Sequence, residues 1–164
     1  MGLEMSADRP CSMVRTVPSV AWRAVGLPTG GAALVHSRAL ADAIPSQPGA
    51  YGGGPCKGGI VNSTVSVLDG TSRAPASAIM QIALPVDLAL SRDGARFAVV
   101  DGSRAAGVLP GPAVVSGTLG ALSGECGFPG GFTPSGQPTA VAFDGQGRVI
   151  VQSREPARLD ISDG

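Results

Sequence analysis

The sequence predicts an all-β fold assembled from recurring antiparallel strand units, and three observations predict it. First, Gly 25 and Pro 14 among 164 residues cluster between short apolar runs, which suits strands joined by turns and long loops. Second, Asp-Gly, a tight-turn signal because Gly accepts positive φ, starts at residues 69, 93, 101, 144 and 163. Third, one strand–turn–strand pattern returns along the chain.

The clearest copies are residues 85–100, PVDLALSRDGARFAVV, and residues 138–152, PTAVAFDGQGRVIVQ. Pro85 aligns with Pro138, Leu88 with Val141, Gly94 with Gly147, Arg96 with Arg148 and Val99 with Val151. Val86, Leu88 and Leu90 alternate with Asp87, Ala89 and Ser91, the period of a strand with two distinct faces. Asp93-Gly94 turns the chain, and Arg96 to Val100 returns it. A third, partial copy aligns Gly31–Arg38 with Gly147–Arg154, placing His36 opposite Gln152.

Further strands are expected at Ile60–Leu68, Ala78–Leu84 and Ala113–Leu119. A hairpin plus additional strands every fifty or so residues is the pattern of a propeller blade. The expected architecture is therefore an incomplete β-propeller of about three blades with long Gly/Pro loops. It divides into a partial blade over 26–84, a blade over 85–137 and a partial blade over 138–164. Residues 1–25 form a poorly defined N-terminal segment without clear periodicity. Closed rings take about four to eight blades, so three do not close by themselves. A small β-sandwich would also alternate, but it gives no reason for the recurrence.

The composition excludes several function classes. Twelve basic residues balance twelve acidic ones, and no basic stripe gathers on one segment, so nucleic acid is not an expected partner. No run reaches the roughly 20 apolar residues of a membrane helix. Met1 to Trp22 carries Glu4, Asp8 and Arg9 and no apolar signal core, so a start at Met1 implies the cytoplasm.

The phrase PVDLALSRDGARFAVVDG resembles the YVTN/NHL/WD40-like group of bacterial β-propeller repeats over roughly residues 27–164. With VHSRAL, YGGGPCKGGIVNSTVSV and GQPTAVAFDGQGRVIVQSREPA, it also looks like the propeller part of secreted proteobacterial proteins that carry a c-type cytochrome domain. That resemblance implies a periplasmic or envelope setting with haem chemistry elsewhere. This chain has no C-x-x-C-H motif, so no cofactor is expected in it. It ends in Leu159–Gly164 like a strand entering another turn, and the expectation is a fragment of a larger protein. In an exported chain Cys56 and Cys126, both in Gly/Pro-rich loops, are the candidate disulfide and Cys11 stays unpaired. In a cytosolic chain all three are thiols.

No catalytic, cofactor-binding or metal-binding residue is assigned. His36 is the only histidine, and its neighbour Ser37 points to the opposite face of a strand, so a structural role is expected. Gly52–Gly59 lacks the Lys-Ser/Thr pair and the helix of a phosphate loop. Asp87 and Asp144 occupy different repeat positions and are not a carboxylate pair. The Asn62-Ser63-Thr64 sequon lies inside a strand. The expected function is a non-catalytic scaffold or interaction module, completed by missing blades or a protein partner. The alternative is the propeller portion of a haem-dependent redox protein, with a small enzyme using His36 as a third reading.

Overall fold

Short apolar runs separated by Gly/Pro segments become strands, and among the described residues there are no helices. The structure, a computed structural model, describes residues 16–41, 61–69, 77–79, 82–103, 112–119, 126–127 and 130–163. The strands are β1 (Thr16–Gly26), β2 (Ala32–Leu40), β3 (Val61–Leu68), β4 (Ser77–Ile79), β5 (Pro85–Leu90) and β6 (Arg96–Asp101). They continue as β7 (Val114–Thr118), β8 (Cys126–Gly127), β9 (Gly130–Phe132), β10 (Pro138–Phe143), β11 (Val149–Ser153) and β12 (Arg158–Ser162). Three sheets result: β1-β2-β3-β4-β8, β5-β6-β7-β9 and β10-β11-β12, called here sheets A, B and C. Pairing is antiparallel except between β4 and β8.

The hairpins expected over 85–100 and 138–152 are present, and a third, β1–β2, is built on the same plan. Each turn is closed by two backbone hydrogen bonds. In sheet B the Ser91 N–H donates to Arg96 O (3.0 Å) and Gly94 N–H to Ser91 O (2.8 Å). In sheet C Asp144 N–H donates to Arg148 O (3.0 Å) and Gly147 N–H to Asp144 O (3.1 Å). In sheet A Leu27 N–H donates to Gly31 O (3.1 Å) and Gly30 N–H to Leu27 O (3.0 Å). The donor glycines have φ of 92° at Gly30, 71° at Gly94 and 80° at Gly147, where a Cβ would be strained.

Counting away from each turn, four residue pairs follow and then a bulge. The pairs run from Gly26↔Ala32 to Arg23↔Val35, from Leu90↔Phe97 to Asp87↔Val100, and from Phe143↔Val149 to Ala140↔Gln152. Trp22, Val86 and Thr139 are then skipped, and pairing resumes at Ala21↔His36, Pro85↔Asp101 and Pro138↔Ser153.

This register corrects the sequence alignment of the first hairpin by one residue. Gly30, not Gly31, matches Gly147, and His36 matches Asp101 and Ser153 rather than Gln152. Adjacent glycines followed by small apolar residues let the sequence slide by one, whereas the hydrogen bonds do not. The strand β1 also begins well before the boundary expected at residue 26. Irregularities at Pro18/Val20 and Ala21/Arg23 break its alternation and hide it from a period-2 reading. The strand expected at 78–84 is limited to Ser77–Ile79 among the described residues, and Ile82–Leu84 lead into β5 without pairing as strand.

Alternation along these strands gives every sheet two faces, and sheet B buries both. Leu88, Phe97, Val99 and Val115 on one face pack with Ala33, Val35 and Val65 of sheet A. Ala89, Ala98, Val100 and Val114 on the other pack with Val141, Val149 and Val151 of sheet C. The order is A on B on C, with β5 between β1 and β10. Valine and alanine suffice because the layers meet over whole faces, and Phe97 is the largest side chain fully buried there. Phe97→Ala should therefore lower unfolding stability by about 3–5 kcal/mol. Urea unfolding followed by the fluorescence of Trp22 in sheet A checks this, because a cavity in the A–B interface loosens both layers.

Candidate functional site

Two matching positions of the hairpins hold the aspartates and the histidine that reach across strands and sheets. The first is the last pair before each bulge on the leading strand, occupied by Arg23, Asp87 and Ala140. The Asp87 carboxylate reaches both neighbouring sheets. Its Oδ2 accepts the Val141 N–H of β10 at 2.9 Å, and its Oδ1 lies 3.5 Å from Arg23 Nε on β1. Arg23 is mostly exposed, so the ion pair contributes little, and the amide bond to sheet C carries more of the stabilisation.

The second position follows the bulge on the returning strand and holds His36, Asp101 and Ser153, all buried. Asp101 is fully enclosed, and its oxygens accept the Ala83 and Leu84 amides (3.1 and 3.2 Å) and the Ser103 amide and hydroxyl (2.9 and 2.6 Å). These bonds anchor the segment that enters β5. Ser153 Oγ has no hydrogen-bond partner among the described residues.

His36 is 6% exposed. Its Nδ1 lies 3.1 Å from the Ser37 carbonyl and its Nε2 lies 2.8 Å from Ser66 Oγ. A carbonyl only accepts, so Nδ1 carries the proton, and in the neutral ring Nε2 accepts from the Ser66 hydroxyl. This assigns the tautomer from the bonding network. Ser66 and His36 thus stand as a hydroxyl and a base do in nucleophilic catalysis, but the ring is oriented by a backbone carbonyl. The Ser37 hydroxyl, on the opposite face, accepts from Trp22 Nε1 at 3.3 Å. Ser66 comes from β3 and is missed by sequence reading, because pairing across the 41–60 stretch has no local signal.

Asp144 and Asp93 organise turns. Asp144 Oδ1 accepts the amides of Gln146 (2.9 Å) and Arg148 (2.8 Å), and its Oδ2 accepts Arg148 Nε at 2.7 Å. In the matching turn Ser91 Oγ accepts the Arg96 amide at 2.9 Å and donates to Asp93 at 2.6 Å. Arg96 then crosses to sheet C, donating to the Gly147 carbonyl at 2.8 Å with its guanidinium 5.3 Å from the Phe143 ring centre. Asp87 lies in a strand and Asp144 in a turn, and they hold separate partners. Cys11, Cys56 and Gly52–Gly59 lie outside the described residues, while Cys126 lies in β8. Among the described residues no group of three metal-ligating side chains converges. No helix in the described part is long and apolar enough to cross a membrane.

No protein-family model matches the chain, and no curated protein or solved structure matches it either. The site is therefore read from its own geometry.

The hydrogen bond from the Arg148 side chain, with the Arg148 amide second, holds the Asp144 carboxyl below the ordinary carboxylate range. Asp93 shifts the same way, first through Ser91 and then the Ala95 amide. A depressed folded-state pKa adds stability that is present above the unfolded value and lost as pH falls through the folded one. Asp144→Asn should therefore flatten the acid limb of the stability curve below about pH 4. Urea titrations of both proteins at several acidic pH values check this, and Asp93 contributes to the slope that remains.

Proposed function

We propose that this chain is a non-catalytic scaffold made of β-propeller-type blades, of the YVTN/NHL/WD40-like kind, that presents its sheets for assembly with protein. One observation carries the reading: three hairpins turn on a positive-φ glycine at the same place and share one register and one bulge position. Sheets A, B and C correspond to successive blades, each laying one face on the next. A sandwich would set two sheets around one core, whereas here the middle sheet is buried on both faces and the order can extend.

The chemistry of the polar residues supports a structural role. His36 bonds Ser66 and the Ser37 carbonyl, Asp101 holds the entry to β5, Asp144 holds a turn, and Asp87 ties sheet B to sheet C. Each spends its hydrogen-bonding capacity on backbone or on a neighbouring hydroxyl or guanidinium. In a stacked scaffold such links couple the blades, so weakening one joint is felt in all layers.

Asp87→Ala leaves the Val141 amide without its acceptor and should cost about 1–3 kcal/mol. Unfolding followed by Trp22 fluorescence and by far-ultraviolet circular dichroism should shift together by that amount. Two separated transitions would contradict a coupled stack. Hydrolysis of p-nitrophenyl acetate above the free-imidazole rate, abolished by both His36→Gln and Ser66→Ala, would contradict the non-catalytic role.

A further inference from the structure

Among the described residues the stacking rule leaves two faces open, and they are the two halves of the joint already made twice between the sheets. On sheet B, Ala89, Ala98, Val100 and Val114 carry sheet C. The register places Ala142, Ile150, Gln152 and Leu159 at the matching positions of sheet C, with Ile161 opposite Ile150. Ile161 is 56% exposed and Leu159 66%, and Ala142 is exposed beside them. Contiguous exposed apolar side chains mark association surfaces.

At the other end the same register identifies the receiving face of sheet A. Leu88, Phe97 and Val99 of sheet B, which lie on sheet A, correspond to Ala24, Ala32 and Leu34. Leu68 pairs with Ala32 on that face and is 40% exposed, and Ala24 is exposed as well. Sheet C thus ends in a surface of the kind that sheets A and B use to hold a successor. Sheet A begins with one of the kind that sheets B and C offer to a predecessor.

We propose that these two faces bind each other between two copies of this chain, sheet C of each on sheet A of its partner, closing a two-fold ring of six blades. The proposal rests on the blade reading above and names the occupant of the open faces. Continuity with the A–B and B–C joints selects the geometry, because repeating the face-to-face joint that sets A on B and B on C places C on the next A. Joints of this head-to-tail kind form a ring when the rotation closes and a filament when it does not. Propeller rings close with about four to eight blades, and three-sheet units reach that range only as a pair. The two-fold axis makes both new joints identical, so one association buries four open faces.

Sedimentation velocity of the intact chain over a hundredfold concentration range tests this, with Ala24→Glu and Ile161→Glu as variants. Both positions are exposed, and unchanged circular dichroism shows that each variant folds. The expected result is a discrete two-copy species that each substitution converts to monomer. An equimolar mixture of the variants should recover a two-copy species, since one of its two joints is free of substitution. A monomeric native chain would overturn the ring, and so would polydisperse growth or sensitivity to only one substitution. A monomer would place further blades of a longer chain on these faces. That outcome leaves the scaffold reading standing, because the scaffold is judged by the coupled transitions of Asp87→Ala and not by copy number.

Discussion

The burial of sheet B on both of its faces is the constraint on which the rest of the structure depends. A strand with one apolar face can meet solvent with the other, but β6 has no such option. Phe97 and Val99 point to one neighbour, Ala98 and Val100 to the other, and all four are fully buried. Either neighbour removed would expose a complete face, so the hairpin needs layers on both sides. Its side chains are small, and many close contacts replace a few large ones. A core of valine and alanine works here because the layers are matched in register and buried against one another.

Matched register is what the turns and bulges supply. Each turn uses a glycine with positive φ, three residues after the turn begins, to reverse the chain, and the sheet B turn takes in one extra residue, Ala95, without disturbing the pairing that follows. Each bulge then falls after four pairs, at the matching place in every sheet. Sheets with matching pairing lay equivalent positions on one another, and the polar links follow from that alignment. Asp87 reaches the Val141 amide and Arg96 reaches the Gly147 carbonyl because equivalent positions lie beside each other in adjacent layers. The buried polar position after the bulge is filled differently in each sheet, by a histidine, an aspartate and a serine. Neighbouring segments answer the histidine and the aspartate there, while the small serine hydroxyl has no partner among the described residues.

The parts of this design that are local in sequence were legible there. The alternation in 85–90, the Asp-Gly turn and the return strand predict the central hairpin, and residues 138–152 predict its counterpart. The strand β1 was not legible, because two bulges within Thr16–Gly26 scramble its alternation. The one-residue slip at Gly30 and Gly31 has a related cause, since small residues carry little information about register. The Ser66–His36 contact, the Asp87 bridge and the two-faced role of sheet B depend on how distant strands pair and stack. A sequence displays the residues that take part but not the neighbour that each will meet.

Native-state hydrogen exchange tests the central claim most directly, because it reports the free energy needed to open each strand. If sheet B is held by both neighbours, the amides of Phe97–Val100 and Val114–Ser116 should be the slowest in the molecule. Opening them should require the global unfolding free energy, while strand ends in sheets A and C exchange sooner. Exchange of β6 and β7 ahead of β2 and β11 would contradict the account, showing that the outer sheets persist without the middle one.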